Sequence, residues 1–129
     1  MSIAISSRKA KGRRLQQDIC KKISEVTDIP WGKDTEISSR EMGQSGTDVR
    51  LMGKALEMFP YSVECKNVEN VNLWEAIKQA KSNQKEGTEW LLFLKRNNVD
   101  PIVVMSSDEF FKLIKYVLGT IYETTGTVS

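Results

Sequence analysis

Two acids and a lysine stand in a pattern that suits phosphate chemistry. Ser45-Gly46-Thr47-Asp48-Val49 leads into Val63-Glu64-Cys65-Lys66, with Glu64 sixteen positions after Asp48. Hydrolysis of a phosphodiester needs cations to neutralise developing charge and a deprotonated water for in-line attack. Mg²⁺ takes hard oxygen ligands, usually one or two carboxylates with several waters retained. Asp48 and Glu64 form a candidate Mg²⁺ pair of this kind, with Mn²⁺ able to substitute and the backbone carbonyl of Cys65 as a further oxygen. Lys66 would orient or deprotonate the attacking water. A structural salt-bridge cluster uses the same three residues, so the spacing alone leaves both readings open.

Other chemistries are excluded early. The chain has no histidine, which removes histidine-based triads, histidine-metal nuclease motifs and most catalytic zinc sites. Its two cysteines, Cys20 and Cys65, have no CxxC spacing and read as buried thiols.

The elements that must position the trio follow from periodicity. Between about Arg8 and Val26 the apolar residues Leu15, Ile19, Ile23 and Val26 make a helical stripe, with Gln16 on its edge. Pro30 and Gly32 stop that helix. Lys33 to Gly46 reads as loop with a short edge strand near Glu36 to Arg40. Thr47 to Met52 alternates as a strand, Gly53 to Pro60 as a turn or bulged connection, and Tyr61 to Lys66 as the strand that completes a hairpin. Alternation puts Glu64 and Lys66 on one face and Val63 and Cys65 on the core face. Asn70 or Asn72 caps a helix to about Ser82. Trp90 to Leu94 and Asp100 to Met105 read as strands covered on both faces. Ser106 or Ser107 caps a last helix that Gly119 ends; its apolar face reads as core, with a dimer contact, shared with Trp90 and Phe93, as the alternative. Trp31 and Trp74 read as packing residues.

The resulting order is helix, two or three strands, helix, two strands, helix. It predicts an α/β fold of one domain over residues 1–129, with a central mixed five-stranded sheet flanked by helices and flexible ends at 1–8 and 120–129. At 129 residues, 40% apolar and 28% charged, the chain is one domain of ordinary composition, with no span-length apolar run and too short an apolar start for a signal peptide. A cytoplasmic location without membrane contact is expected. Net charge is only +2, yet Arg8, Lys9, Lys11, Arg13, Arg14, Lys21 and Lys22 face a single acid, Asp18, in the first 22 residues. That is the footprint of a phosphate-backbone binder, or else a solvated helix face.

Asp48 with Glu64-Cys65-Lys66 in an α/β/α order resembles the PD-(D/E)XK nuclease superfamily, whose members share a restriction-endonuclease-like fold. Within it the chain resembles the archaeal and phage Holliday junction resolvases. The resemblance runs from about Lys9 to Lys66. Lys11-Gly12 with Gln16 four residues after the glycine, Arg40 eight residues before Asp48, and Ser45-Gly46 match further points of the family pattern. Gln16 stands where many members have glutamate, and Thr47 where the superfamily's name puts proline. The resemblance implies a catalytic set of Asp48, Glu64, Lys66 and Gln16. It implies DNA contacts from Arg8, Lys9, Lys11, Arg13, Arg14, Arg40 and Ser45. It also implies a Mg²⁺-dependent homodimer that nicks four-way branched DNA symmetrically, in the host cytoplasm if phage-encoded.

Overall fold

A computed structural model describes residues 2–40 and 46–125. The order is α1 (Ser2–Thr27), β1 (Ile37–Ser39), β2 (Val49–Leu51), α2 (Gly53–Met58), β3 (Tyr61–Asn67), α3 (Leu73–Ser82), β4 (Glu89–Lys95), β5 (Ile102–Val104) and α4 (Ser107–Thr125). The strands form one mixed sheet in the order β1-β2-β3-β4-β5, parallel only between β3 and β4. This is a single-domain α/β fold with helices against the sheet.

The apolar stripe of α1 buries Leu15, Ile19, Cys20 and Ile23 against Ile37, Val49, Leu51 and Val63. Full burial of such side chains contributes roughly 1.5–3 kcal/mol each. Helix α1 begins at Ser2, earlier than its stripe requires, because Ser2 to Ser7 contains no glycine or proline and extending an existing helix is easy. It ends where Asp28 takes a left-handed conformation (φ 59°) and donates its N–H to the Ser24 carbonyl.

Helix α3 covers the opposite sheet face. Its Ala76, Ile77 and Ala80 pack on Trp90 and Leu92, and the Asn72 side chain caps it by accepting the Glu75 N–H at 3.2 Å.

Several expectations are corrected. Gly53 to Met58 is a helix rather than a turn, because Ala55, Leu56, Glu57 and Met58 favour helix and the Glu36 carboxylate accepts the Ala55 N–H at 2.9 Å, satisfying an orphan donor of the first turn. Helix α4 runs through Gly119, since no second breaker follows. Trp74 is 77% exposed because it lies about 100° round α3 from Leu73, off the 73/76/77/80 stripe; Trp31 is exposed too. Ile102 and Val103 of β5 and the apolar face of α4 are exposed rather than covered, while Trp90 is core. The root of α4 is pinned: Ser106 Oγ accepts the Glu109 N–H at 3.1 Å, and Tyr61 Oη donates to the buried Glu109 carboxylate at 2.7 Å.

These burials set a contrast. Leu15→Ala, at a side chain 1% exposed, is expected to cost about 2–5 kcal/mol in urea unfolding. Trp74→Ala should change stability by no more than about 0.5 kcal/mol; a loss as large as that of Leu15→Ala would restore Trp74 to the core.

Candidate active site

The register of β2 and β3 brings the acids together. Val49 pairs with Val63, so Asp48 and Glu64, one residue beyond in each antiparallel partner, stand opposite one another. The Asp48 N–H donates to the Val63 carbonyl at 3.1 Å, and its side chain turns toward β3. Its Oδ2 accepts the backbone N–H of Cys65 at 2.8 Å, and its Oδ1 accepts from Arg40 Nη2 at 3.0 Å. Both acids are buried, Asp48 at 7% and Glu64 at 9% exposure.

On β3, Val63 and Cys65 belong to the α1 face, and alternation places Glu64 and Lys66 on the α3 face. Glu64 lies under the end of α3, where Asn83 Nδ2 donates to its Oε1 at 3.1 Å. Asn83 is held in turn by a closed ring of hydrogen bonds below it. The Lys85 N–H donates to Ser62 Oγ, Ser62 bonds Thr88 Oγ1, and Thr88 Oγ1 donates to the Lys85 carbonyl, at 2.9, 2.7 and 2.7 Å. Ser62 and Thr88 are both buried, so this ring fixes the α3–β4 turn and with it the Asn83 amide.

The electrostatics of the pair follow from confinement. Burial pushes the Glu64 carboxyl up to about 8, and a hydrogen bond and charge repulsion from Asp48 push the same way; Asn83 and Arg40 oppose them. Glu64 therefore holds a proton at neutral pH. Two adjacent buried carboxylates that retain a proton are a donor set fitted to one hard divalent cation, whose charge would take that proton's place. Among the described residues no cluster of three or more Asp, Glu, Cys or His side chains is disposed to hold a metal, so waters and backbone oxygen would complete the shell. Thiol chemistry is excluded, since burial pushes Cys20 up to about 12 and, with the Asp48 charge, raises Cys65 as well.

The remaining candidates divide. Lys66 is half-buried, next along from Glu64 on the same face. Gln16 is half-buried on α1, which covers the other face, and among the described residues it makes no hydrogen bond to Asp48, Glu64 or Lys66. Arg40 meets Asp48 itself and donates from Nη1 to the Gly46 carbonyl at 3.3 Å. Arg8, Lys9, Arg13 and Arg14 are exposed on the first half of α1, and Lys11 is half-buried. The Lys11 carbonyl accepts from Asn67 Nδ2 at 3.3 Å, which docks the basic stretch at the end of β3 beside Lys66. Ser45 lies outside the described residues. Asn83, Ser62 and Thr88 escape sequence reasoning, because no local pattern links a helix C-cap to a carboxylate nineteen positions earlier.

No helix among the described residues is long and apolar enough to cross a membrane. No family model matches the chain, and no curated protein or solved structure matches it.

A pH dependence follows from the raised Glu64 carboxyl. The folded chain keeps this proton to about 8 while the unfolded chain releases it near 4.5, so the group stabilises most at low pH. Its contribution is lost as pH rises from 4.5 to 8 and is flat above. Urea midpoints measured across that window should fall in the wild type and fall less in Glu64→Gln; equal slopes would contradict the raised Glu64 carboxyl.

Proposed function

We propose that the chain is a divalent-cation-dependent endodeoxyribonuclease of the PD-(D/E)XK type, acting on branched DNA. The observation that carries this reading is the buried Asp48–Glu64 pair with Lys66 beside it. Asp48 and Glu64 would hold the cation, with the Cys65 carbonyl as a further oxygen. Bound there, Mg²⁺ supplies neutralising charge at the scissile phosphate and makes a water more acidic.

The chain's own groups have distinct parts. Asp48 is oriented by the Cys65 N–H and by Arg40, so Arg40 is a positioning residue for the carboxylate rather than a DNA contact. Glu64 must give up its proton to become a ligand, and Asn83 favours that by donating to the ionised Oε1. Lys66 lies where an ammonium group can meet a phosphate oxygen or the attacking water. Arg8, Lys9, Lys11, Arg13 and Arg14, docked at the same end of β3, supply backbone phosphate contacts without sequence choice. The four-way junction as substrate, and a homodimer as the working form, rest on the resemblance to Holliday junction resolvases.

A second reading keeps the fold and the DNA but drops the cleavage. It is favoured by the Arg40–Asp48 ion pair, which already compensates the Asp48 charge without a metal. The two readings part in one assay. A labelled four-way junction incubated with Mg²⁺ should show paired nicks across the branch, with duplex of the same arms cut at least about tenfold more slowly. Asp48→Asn, Glu64→Gln and Lys66→Ala should each lower cutting by about 100-fold or more while junction binding survives. Cutting retained in any of the three would sink the site assignment. Salt-dependent DNA binding by a wild type that cuts nothing would establish the second reading.

A further inference from the structure

Beyond the two acids, the sheet face that carries Lys66 opens into a pocket of about 340 Å³. Three of its residues form one cross-strand row, Lys66 of β3 beside Leu94 of β4 beside Ile102 of β5. Val68 and Val71, between β3 and α3, flank the row on one side and Val99, in the β4–β5 turn, on the other. These three valines and Ile102 are 39–56% exposed, so one concave site gathers apolar surface that the fold leaves open. Its two flanks are tied together. The Val68 N–H donates to the Lys95 carbonyl at 3.0 Å, and the Glu69 carboxylate accepts the Asn97 N–H at 2.9 Å. Lys95 Nζ donates to the carbonyls of Arg96 and Val99, both at 3.1 Å, which fixes the turn from within. The pocket is therefore formed before anything enters it, and binding there has a low ordering cost.

We propose that this pocket receives one unstacked nucleobase of the strand whose phosphate meets Lys66, and so favours branched or unpaired DNA over duplex. The nucleobase follows from size, polarity and charge, while its place in the cut strand rests on the nuclease reading. A volume of about 340 Å³ is at the lower end of small-ligand sites, and it is less than one turn of a helix about 10 Å across. One ring system with its sugar fills it. Apolar side chains on both flanks suit the two faces of a flat base. The Asn70 amide, without a partner among the described residues, offers a donor and an acceptor to the base edge. Lys66 and Arg96 are cations whose side chains have no partner among the described residues, whereas Glu69 is engaged with the Asn97 N–H. With Lys95 and Asp100 the lining carries three cations and two acids, an excess that suits a ligand bringing its own phosphate. The rise of about 3.3 Å per residue puts Lys66 about 7 Å beyond Glu64 along β3. A phosphate at the acids and a base in the pocket then belong to the same or the adjacent nucleotide. A paired base must leave its stack to enter, but a base at a branch is already loosened, so the pocket adds affinity for the branch.

The test is binding of the full chain, without divalent cation, to a four-way junction carrying the fluorescent base 2-aminopurine in the pair next to the branch. Unstacking raises the emission of this base. The wild type should raise it about threefold or more and bind the junction about tenfold tighter than duplex of the same arms. Ile102→Asp and Val71→Asp, exposed positions on different sides of the pocket, should each weaken junction binding about tenfold and abolish the rise, with unchanged far-UV circular dichroism spectra. Val103 is equally exposed but belongs to the α1 face through its pairing with Phe93. Val103→Asp adds the same charge there, and should change junction affinity by no more than about twofold. Unchanged emission on wild-type binding, or equal losses in Ile102→Asp and Val103→Asp, would overturn the inference even if the junction is nicked in Mg²⁺. Base capture by a wild type that nicks nothing in Mg²⁺ would support the pocket and overturn the nuclease alone. A wild type that binds no DNA would overturn both.

Discussion

Two carboxylates confined to one buried site are the constraint on which the rest of the structure turns. Like unit charges about 4 Å apart repel by about 4 kcal/mol at an effective dielectric of about 20, and burial adds a desolvation cost. A bare dianion is therefore disfavoured, and the site must hold either a proton or a cation. Without a cation, Glu64 keeps the proton. Arg40, the Cys65 N–H and Asn83 then distribute what remains of the charge, each on a different carboxylate oxygen.

Holding such a pair in place requires rigidity on both faces of the sheet. On one face α1 locks Val49 and Val63 into their register, and a slip of one residue would send Asp48 and Glu64 to the wrong side. On the other face the Ser62–Thr88–Lys85 ring fixes the turn that aims Asn83. The Asn67–Lys11 hydrogen bond sets the end of β3, next to Lys66, against the basic stretch of α1. The site is thus a product of three packing decisions rather than of one loop.

Much of this was legible in the residues, and the exceptions have physical causes. The α1 stripe at Leu15, Ile19 and Ile23 and the alternation of Val63-Glu64-Cys65-Lys66 report burial directly, so helix, strand and facing were readable from them. The single-domain α/β sheet followed from the order of those periods. Asn83 was illegible because its partner is distant in sequence, and nothing local distinguishes it from any helix C-cap asparagine. Helix α2 was missed because its first-turn donor is satisfied by Glu36, a long-range compensation. The last helix was misread for a deeper reason: apolar periodicity says that a face must be covered, not whether its own chain covers it. Gln16 shows the same limit, since a place on the edge of a stripe does not say which side of the sheet it will serve.

The central claim, that a cation bound by Asp48 and Glu64 replaces the proton on Glu64, is open to direct measurement. Calorimetric titration of Mg²⁺ at pH 7, repeated in buffers of different ionisation enthalpy, counts the protons released on binding. Release close to one proton per cation in the wild type, lost together with binding in Asp48→Asn, is the expected result. Binding without proton release, or binding unaffected by Asp48→Asn, would place the cation elsewhere and leave the carboxylate pair a structural cluster.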